Sequence, residues 1–208
     1  MGRALNPAPT EPLAPARDKL AALVARRTDL TDMIGRETNR RKQAHDPFVA
    51  QQIDAVVRVL SRHLKNIEAE IARQIESDET LARQSSCLRS MPGVGPVVAA
   101  HLLAGLPELG RLDRRAIASL AGFAPLAKDS GLTRGKRSIW GGRAPLRLAI
   151  YLGAFIASRH DATLRTFRHR LQSAGKPVKV AITACARKLL TILNAILREG
   201  ADYRRPAV

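Results

Sequence analysis

The chain has 208 residues, of which 45% are hydrophobic, and it carries 35 Lys+Arg against 18 Asp+Glu for a formal charge of +17. That length and apolar content suffice for one packed domain with an appendage, which excludes a wholly disordered chain. The charge excess creates a field that concentrates polyanions, so nucleic acid is the expected partner. Aromatic residues make up only 3%, so contacts to the backbone and grooves of a nucleic acid fit better than stacking on bases. Cys87 and Cys185 lie far apart with no metal-ligand spacing, as expected of thiols kept reduced in the cytosol. No apolar run is read as a membrane span and the N-terminus lacks a signal core; a bacterial cytosolic or nucleoid location with no membrane partner is expected.

Residues 1–16 contain four prolines and read as a linker or loose tail. Residues 17–80 carry two long helical patterns. The first runs from about Ala16 to Gln43 with Leu20, Leu23, Val24, Leu30 and Ile34 on one side. His45-Asp46-Pro47 breaks it, and the second runs from about Phe48 to Ser77. In the second, Ile53, Val57, Leu60, Leu64, Ile67 and Ile71 alternate steps of four and three, a narrow seam of coiled-coil type. Arg58, Arg62, Lys65, Glu68, Glu70 and Arg73 occupy the other faces. An antiparallel coiled-coil hairpin follows, whose seam closes on itself or on a second subunit.

Residues 81–200 form the expected C-terminal domain, with helices near 96–106, 114–121, 143–158, 161–173 and 177–199 and a tail at 201–208. Pro177 marks a helix start and Gly175 a helix end. Leu189, Leu190, Ile192, Leu193, Ile196 and Leu197 give the last helix a broad core face. No segment alternates strongly enough for a strand, and the fold class is all-α.

Two stretches bear on chemistry. Leu88-Arg89-Ser90-Met91-Pro92-Gly93-Val94-Gly95-Pro96 looks like a helix-hairpin-helix element. Gly93 and Gly95 can take positive φ and admit a close neighbour. The N–H groups opening the next helix would then face a phosphate, with Gly93, Val94 and Gly95 as the contacting backbone. A tight turn between two core helices is the alternative. The second stretch, Leu120 to Arg143, is rich in glycine and carries Lys128, Arg134, Lys136, Arg137 and Arg143, with Arg147 just beyond. Such cations suit phosphate, and a serine among them could attack a phosphodiester if its proton were removed. A Ser-Gly pair in a loop is by itself more often a turn.

The ordered set Pro92-Gly93-Val94-Gly95, Leu106-Pro107-Glu108-Leu109-Gly110, Ala118-Ser119-Leu120-Ala121-Gly122, Asp129-Ser130-Gly131, Gly141-Gly142-Arg143, Gly175-Lys176-Pro177 and Ala186-Arg187-Lys188-Leu189-Leu190 resembles the C-terminal transposase domain of the insertion-sequence one-ten family, the Piv-like recombinases guided by a bridge RNA. The resemblance extends over almost the whole chain. It implies a serine nucleophile at Ser130, with Ser138 as the nearby rival, and phosphate contacts from Arg134, Lys136, Arg143 and Arg147. It also implies DNA and a structured guide RNA as partners, and dimers or tetramers joined through the hairpin. The family's N-terminal RNase-H-like domain holds magnesium on four acids, and by this resemblance the chain starts where that domain has ended. Glu108, Asp113 and Asp129 do not make such a metal site, so no cofactor is expected in this chain and no activity from it alone. A non-catalytic binding remnant using the hairpin and the basic loop is the alternative.

Overall fold

A computed structural model describes residues 15–126, 138–139 and 143–204. Its elements in order are α1 (Pro15–Gln43), α2 (Pro47–Glu76), α3 (Glu79–Arg89), α4 (Pro96–Gly105), α5 (Arg114–Leu120), β1 (Pro125–Leu126), β2 (Ser138–Ile139), α6 (Ala144–His160), α7 (Ala162–Ser173) and α8 (Val178–Glu199). The architecture is all-α.

Aspartate sets half of the helix starts. Asp46, Asp78, Asp113 and Asp161 each accept a hydrogen bond from a backbone N–H two or three residues on, opening α2, α3, α5 and α7. Each cap satisfies donors that a helix start leaves without an internal acceptor. The His45-Asp46-Pro47 break is therefore a cap followed by a proline at the first helical position. Gly175, at φ 75°, closes α7, and Gly200, at φ 63°, closes α8.

α1 and α2 lie antiparallel, as their ion pairs show: Lys19 meets Glu70 at 3.1 Å, Arg27 meets Glu68 at 2.7 Å and Arg41 meets Asp54 at 3.0 Å. The base of this hairpin is built into the main core, where Leu20, Val24, Ile71 and Ile75 join the buried side chains of α3, α4, α6 and α8. Farther out, Leu30 and Ala50 are buried, whereas Ile53, Val57, Leu60 and Leu64 remain half-buried. Two helices can cover only one side of each other.

Three findings differ from the sequence reading. α3, the helix that either reading of the glycine turn implies before it, was given no limits: Asp78 caps it and Leu81 and Leu88 anchor it in the core. Pro125 and Leu126 pair antiparallel with Ile139 and Ser138, a contact too short to leave a period-two pattern in the sequence. The expectation that no apolar run reaches a membrane span also needs correction. α8 is long and apolar enough by length and composition. Its apolar residues are instead the centre of the core, with Cys185, Leu189, Leu190 and Leu193 fully buried against neighbouring helices.

Candidate functional site

The turn between α3 and α4 is held from beneath. Met91 and Val94 are buried, and the Val94 N–H donates to the Met91 carbonyl at 3.1 Å. Gly93, at φ 86°, lies directly on α6: a Cβ there would stand 2.5 Å from the Gly153 carbonyl oxygen and 2.6 Å from the Ala157 nitrogen. Its close neighbour is thus a helix of the same chain. Gly95 has extended backbone (φ −85°, ψ −179°) and forms the N-cap of α4 without a side-chain cap, and nothing stands within 4 Å of where its Cβ would be. Pro96 has no N–H to offer, so the open donors at this helix start are those of Val97 and Val98.

A strap from the C-terminal segment fixes this turn. The Tyr203 N–H donates to Ser90 Oγ at 2.7 Å, and the Tyr203 hydroxyl donates to Asp161 Oδ2 at 2.7 Å. Asp161 is buried and its other oxygen caps α7 through the Leu164 N–H at 2.9 Å. The hairpin turn, the α6–α7 corner and the segment that follows α8 are thereby tied at one place.

Arg143 stands at the N-cap of α6. Its guanidinium donates to both carboxylate oxygens of Glu108, at 3.1 and 3.2 Å, and to the Gly105 carbonyl. Burial is the largest single influence on Glu108 and opposes its charge, but the Arg143 hydrogen bond, its own backbone N–H and the charges of Arg143 and Arg17 together outweigh it, and the carboxyl sits below its ordinary range. A phosphate could bind Arg143 only by displacing or sharing it with Glu108. Arg147 follows one helical turn later and is half-buried.

Ser130, Lys128, Arg134, Lys136 and Arg137 lie outside the described residues. The β1–β2 pairing brings the two ends of their loop together, Pro125 opposite Ile139. That root follows α5 and leads into α6, the helix opened by Arg143. Gly93 touches the same helix a few turns farther on, at Gly153 and Ala157, so one helix carries both stretches that the sequence singled out.

Among the described residues, no group of His, Cys, Asp and Glu side chains could hold a metal. Glu108 is spent on Arg143 and Asp113 on capping α5, where the N–H groups of Ala116 and Arg115 hold its carboxyl low. Both carboxylates are thus engaged within the fold, and Asp129 lies outside the described residues.

Sequence reading missed the partner of Arg143. It also assigned no binding role to Arg114, Arg115, Arg170, Arg187 and Lys188, which the fold gathers from three helices. Their signal was present: on the last two helices the polar residues repeat at three- and four-residue steps beside the apolar face that drew attention.

The fold and site define a basic, all-helical protein built around a glycine hairpin and a cation-rich loop. Residues 85–169 match the family described as Transposase IS116/IS110/IS902 family. The chain is 30% identical over 203 residues to the pilin gene-inverting protein of Moraxella bovis, covering 95% of this chain and 62% of that protein. It is 34% identical over 165 residues to an uncharacterized 43.6 kDa protein of insertion element IS110 from Streptomyces coelicolor, covering 77% of this chain and 39% of the relative. A similar match, 34% over 169 residues, joins it to an uncharacterized 42 kDa protein of insertion element IS900 from Mycobacterium paratuberculosis, covering 76% of this chain and 42% of the relative. Residues 85–169 thus match the transposase domain of that family, and most of the chain is similar to proteins of its insertion elements. The chain spans less than two thirds of the length of each of these relatives.

Proposed function

We propose that this chain is the DNA-handling part of a transposase or site-specific recombinase, and that Ser130 is its nucleophile. The observation that carries the reading is the similarity along 95% of the chain to a protein named for inverting a gene, with Asp129-Ser130-Gly131 inside the family match at residues 85–169. Ser130 Oγ attacks a backbone phosphorus, forms a phosphoserine bond and releases a strand hydroxyl, while its proton passes to a base. Lys128, Arg134, Lys136 and Arg137 lower the cost of charge building on the phosphoryl oxygens. Gly95 and the N–H groups of Val97 and Val98 take a backbone phosphate at the start of α4, and a guide RNA and a second subunit complete the assembly. The half-buried seam of the hairpin supports that second subunit.

The test is a covalent-adduct assay. The chain is mixed with donor DNA, candidate guide RNA and magnesium, with and without a separately made acidic domain, and run on a denaturing gel. An adduct that needs the acidic domain and vanishes in Ser130→Ala is the expected result; an adduct retained in Ser130→Ala overturns the assignment. The engagement of Glu108 with Arg143 and of Asp113 with the cap of α5 favours a second reading for the chain acting alone, that of a binding protein without chemistry. No adduct under either condition, with nucleic acid still shifted in a native gel, would establish it.

A further inference from the structure

α7 and α8 share a register that is polar where a core stripe would be apolar. On α7 the residues at successive steps of three, one and three are Thr163, Thr166, Phe167 and Arg170; on α8 they are Ala184, Arg187, Lys188 and Thr191. Each set lies on one helix face. Together with Arg114 and Arg115 of α5 they line a groove of about 980 Å³. The three long-chain arginines at its rim, Arg114, Arg115 and Arg170, are exposed, as is Arg187.

We propose that this groove is a second nucleic-acid site, which grips the phosphodiester backbone of a duplex without reading its bases. The inference rests on the reading that the chain handles nucleic acid, and it adds a site outside both the glycine hairpin and the serine loop. Three observations carry it. First, five cations line the groove and none of the described residues lining it is acidic; the two carboxylates adjacent to it in sequence, Asp113 and Asp161, are taken by the caps of α5 and α7. Second, none of the five is among the ion pairs of the described residues, so no internal carboxylate has to be displaced, in contrast to Arg143. Third, the one aromatic ring in the groove is already covered. The Arg170 guanidinium lies 5.2 Å and the Lys188 ammonium 4.9 Å from the centre of the Phe167 ring. The ring props the cations and leaves no free platform for a base. Arginine and lysine flanked by threonine hydroxyls are the donors that bind phosphate oxygens and set register without specifying sequence.

The placement suits the loop chemistry. α5 contributes Arg114 and Arg115 to the groove at its start and leads at its end to the root of the Ser130 loop. Its seven residues span about 10 Å at 1.5 Å per residue, the axial rise of about three base pairs. A backbone held in the groove is thus carried towards the loop.

Fluorescence anisotropy tests this with the full chain and labelled 20-base-pair duplexes of DNA and of RNA, titrated from about 50 to 200 mM salt, the range over which multiple phosphate contacts weaken most visibly. Arg170→Gln combined with Arg187→Gln removes two exposed groove cations, and Arg58→Gln combined with Arg62→Gln removes two exposed ones from the hairpin. The groove pair is expected to flatten the salt slope for duplex DNA by about 1.8, making affinity about twelve-fold less sensitive to that salt change. The hairpin pair is expected to change it much less. A slope change confined to one polymer identifies which backbone the groove takes. Equal changes in both pairs would show a general field and no site, and no change in either polymer would also overturn the proposal. Loss confined to a polyglutamate probe would reassign the groove to acidic protein. The readout is equilibrium binding, so it stands or falls apart from the Ser130 adduct.

Discussion

Gly93 and Gly95 look equivalent in the sequence and are opposites in the fold. Gly93 combines a φ of 86° with a Cβ position 2.5 Å from backbone oxygen, so Gly93→Ala meets both left-handed strain and a collision with α6. Together these should cost roughly 2–4 kcal/mol, read as a lowered midpoint in denaturant melts. Gly95→Ala has open space and an allowed φ, and loses only the mild cap preference of glycine over alanine, less than about 1 kcal/mol. With a phosphate held at the start of α4, Gly95→Ala is expected to alter affinity for nucleic acid more than stability. A second residue-scale consequence concerns His101. It is buried between α1 and α4, where burial and then the Arg27 charge hold its pKa below 6.5. The unfolded chain therefore takes up the proton first, and stability falls as pH drops below about 6.5. Glu108 and Asp113 act lower: their folded pKa values lie below 4.5 and 3.8, so their contribution is present above those values and is lost as pH falls through the folded ones. Thermal melts between pH 7 and 5 should show a decline that His101→Gln abolishes; an identical decline in the variant would place its origin elsewhere.

At the scale of elements, the hairpin is the part least satisfied within one chain. Val56 and Val59 of α2 are each 46% exposed, and Phe48 is 69% exposed, although the seam beside them is apolar. If a second copy covers this surface, light scattering at micromolar concentration gives a multiple of the chain mass. Val56→Glu combined with Val59→Glu should then shift it to the monomer, with helix content unchanged because both sites face solvent. A wild-type monomer under those conditions would remove the hairpin from the assembly reading. α6 is the organising element of the C-terminal part. It packs on α4, α7 and α8, receives Gly93 in a notch made by Gly153, and begins at Arg143 beside the root of the serine loop. Strain introduced at Gly93 should therefore reach the loop through one helix.

Over the whole molecule, the positive charge is not spread evenly in its availability. Arg27, Arg41 and Arg143 are committed to internal carboxylates, while the cations of the α5–α7–α8 groove join no ion pair among the described residues. Net charge alone predicts a polyanion partner but not where it sits. The salt slope separates the two, because it counts the cations that actually replace counterions.

The all-α class, the two long N-terminal helices and most helix limits could be read from the residues, because aspartate caps, prolines and apolar spacing are local signals that act within a few residues. Among the described residues, the glycine motifs are local signals for the same reason: Gly93 and Gly175, for example, stand at turns that require positive φ. The limits of α3 and the β1–β2 pairing escaped, the first for a short and mixed pattern and the second for its two-residue length. Tertiary structure alone decided that Gly93 faces α6, that Arg143 is paired with Glu108, and that five cations distant in sequence share one groove. Those facts depend on which helix faces pack together, and a helix sequence records its own apolar stripe but not the neighbour that the remaining faces will meet.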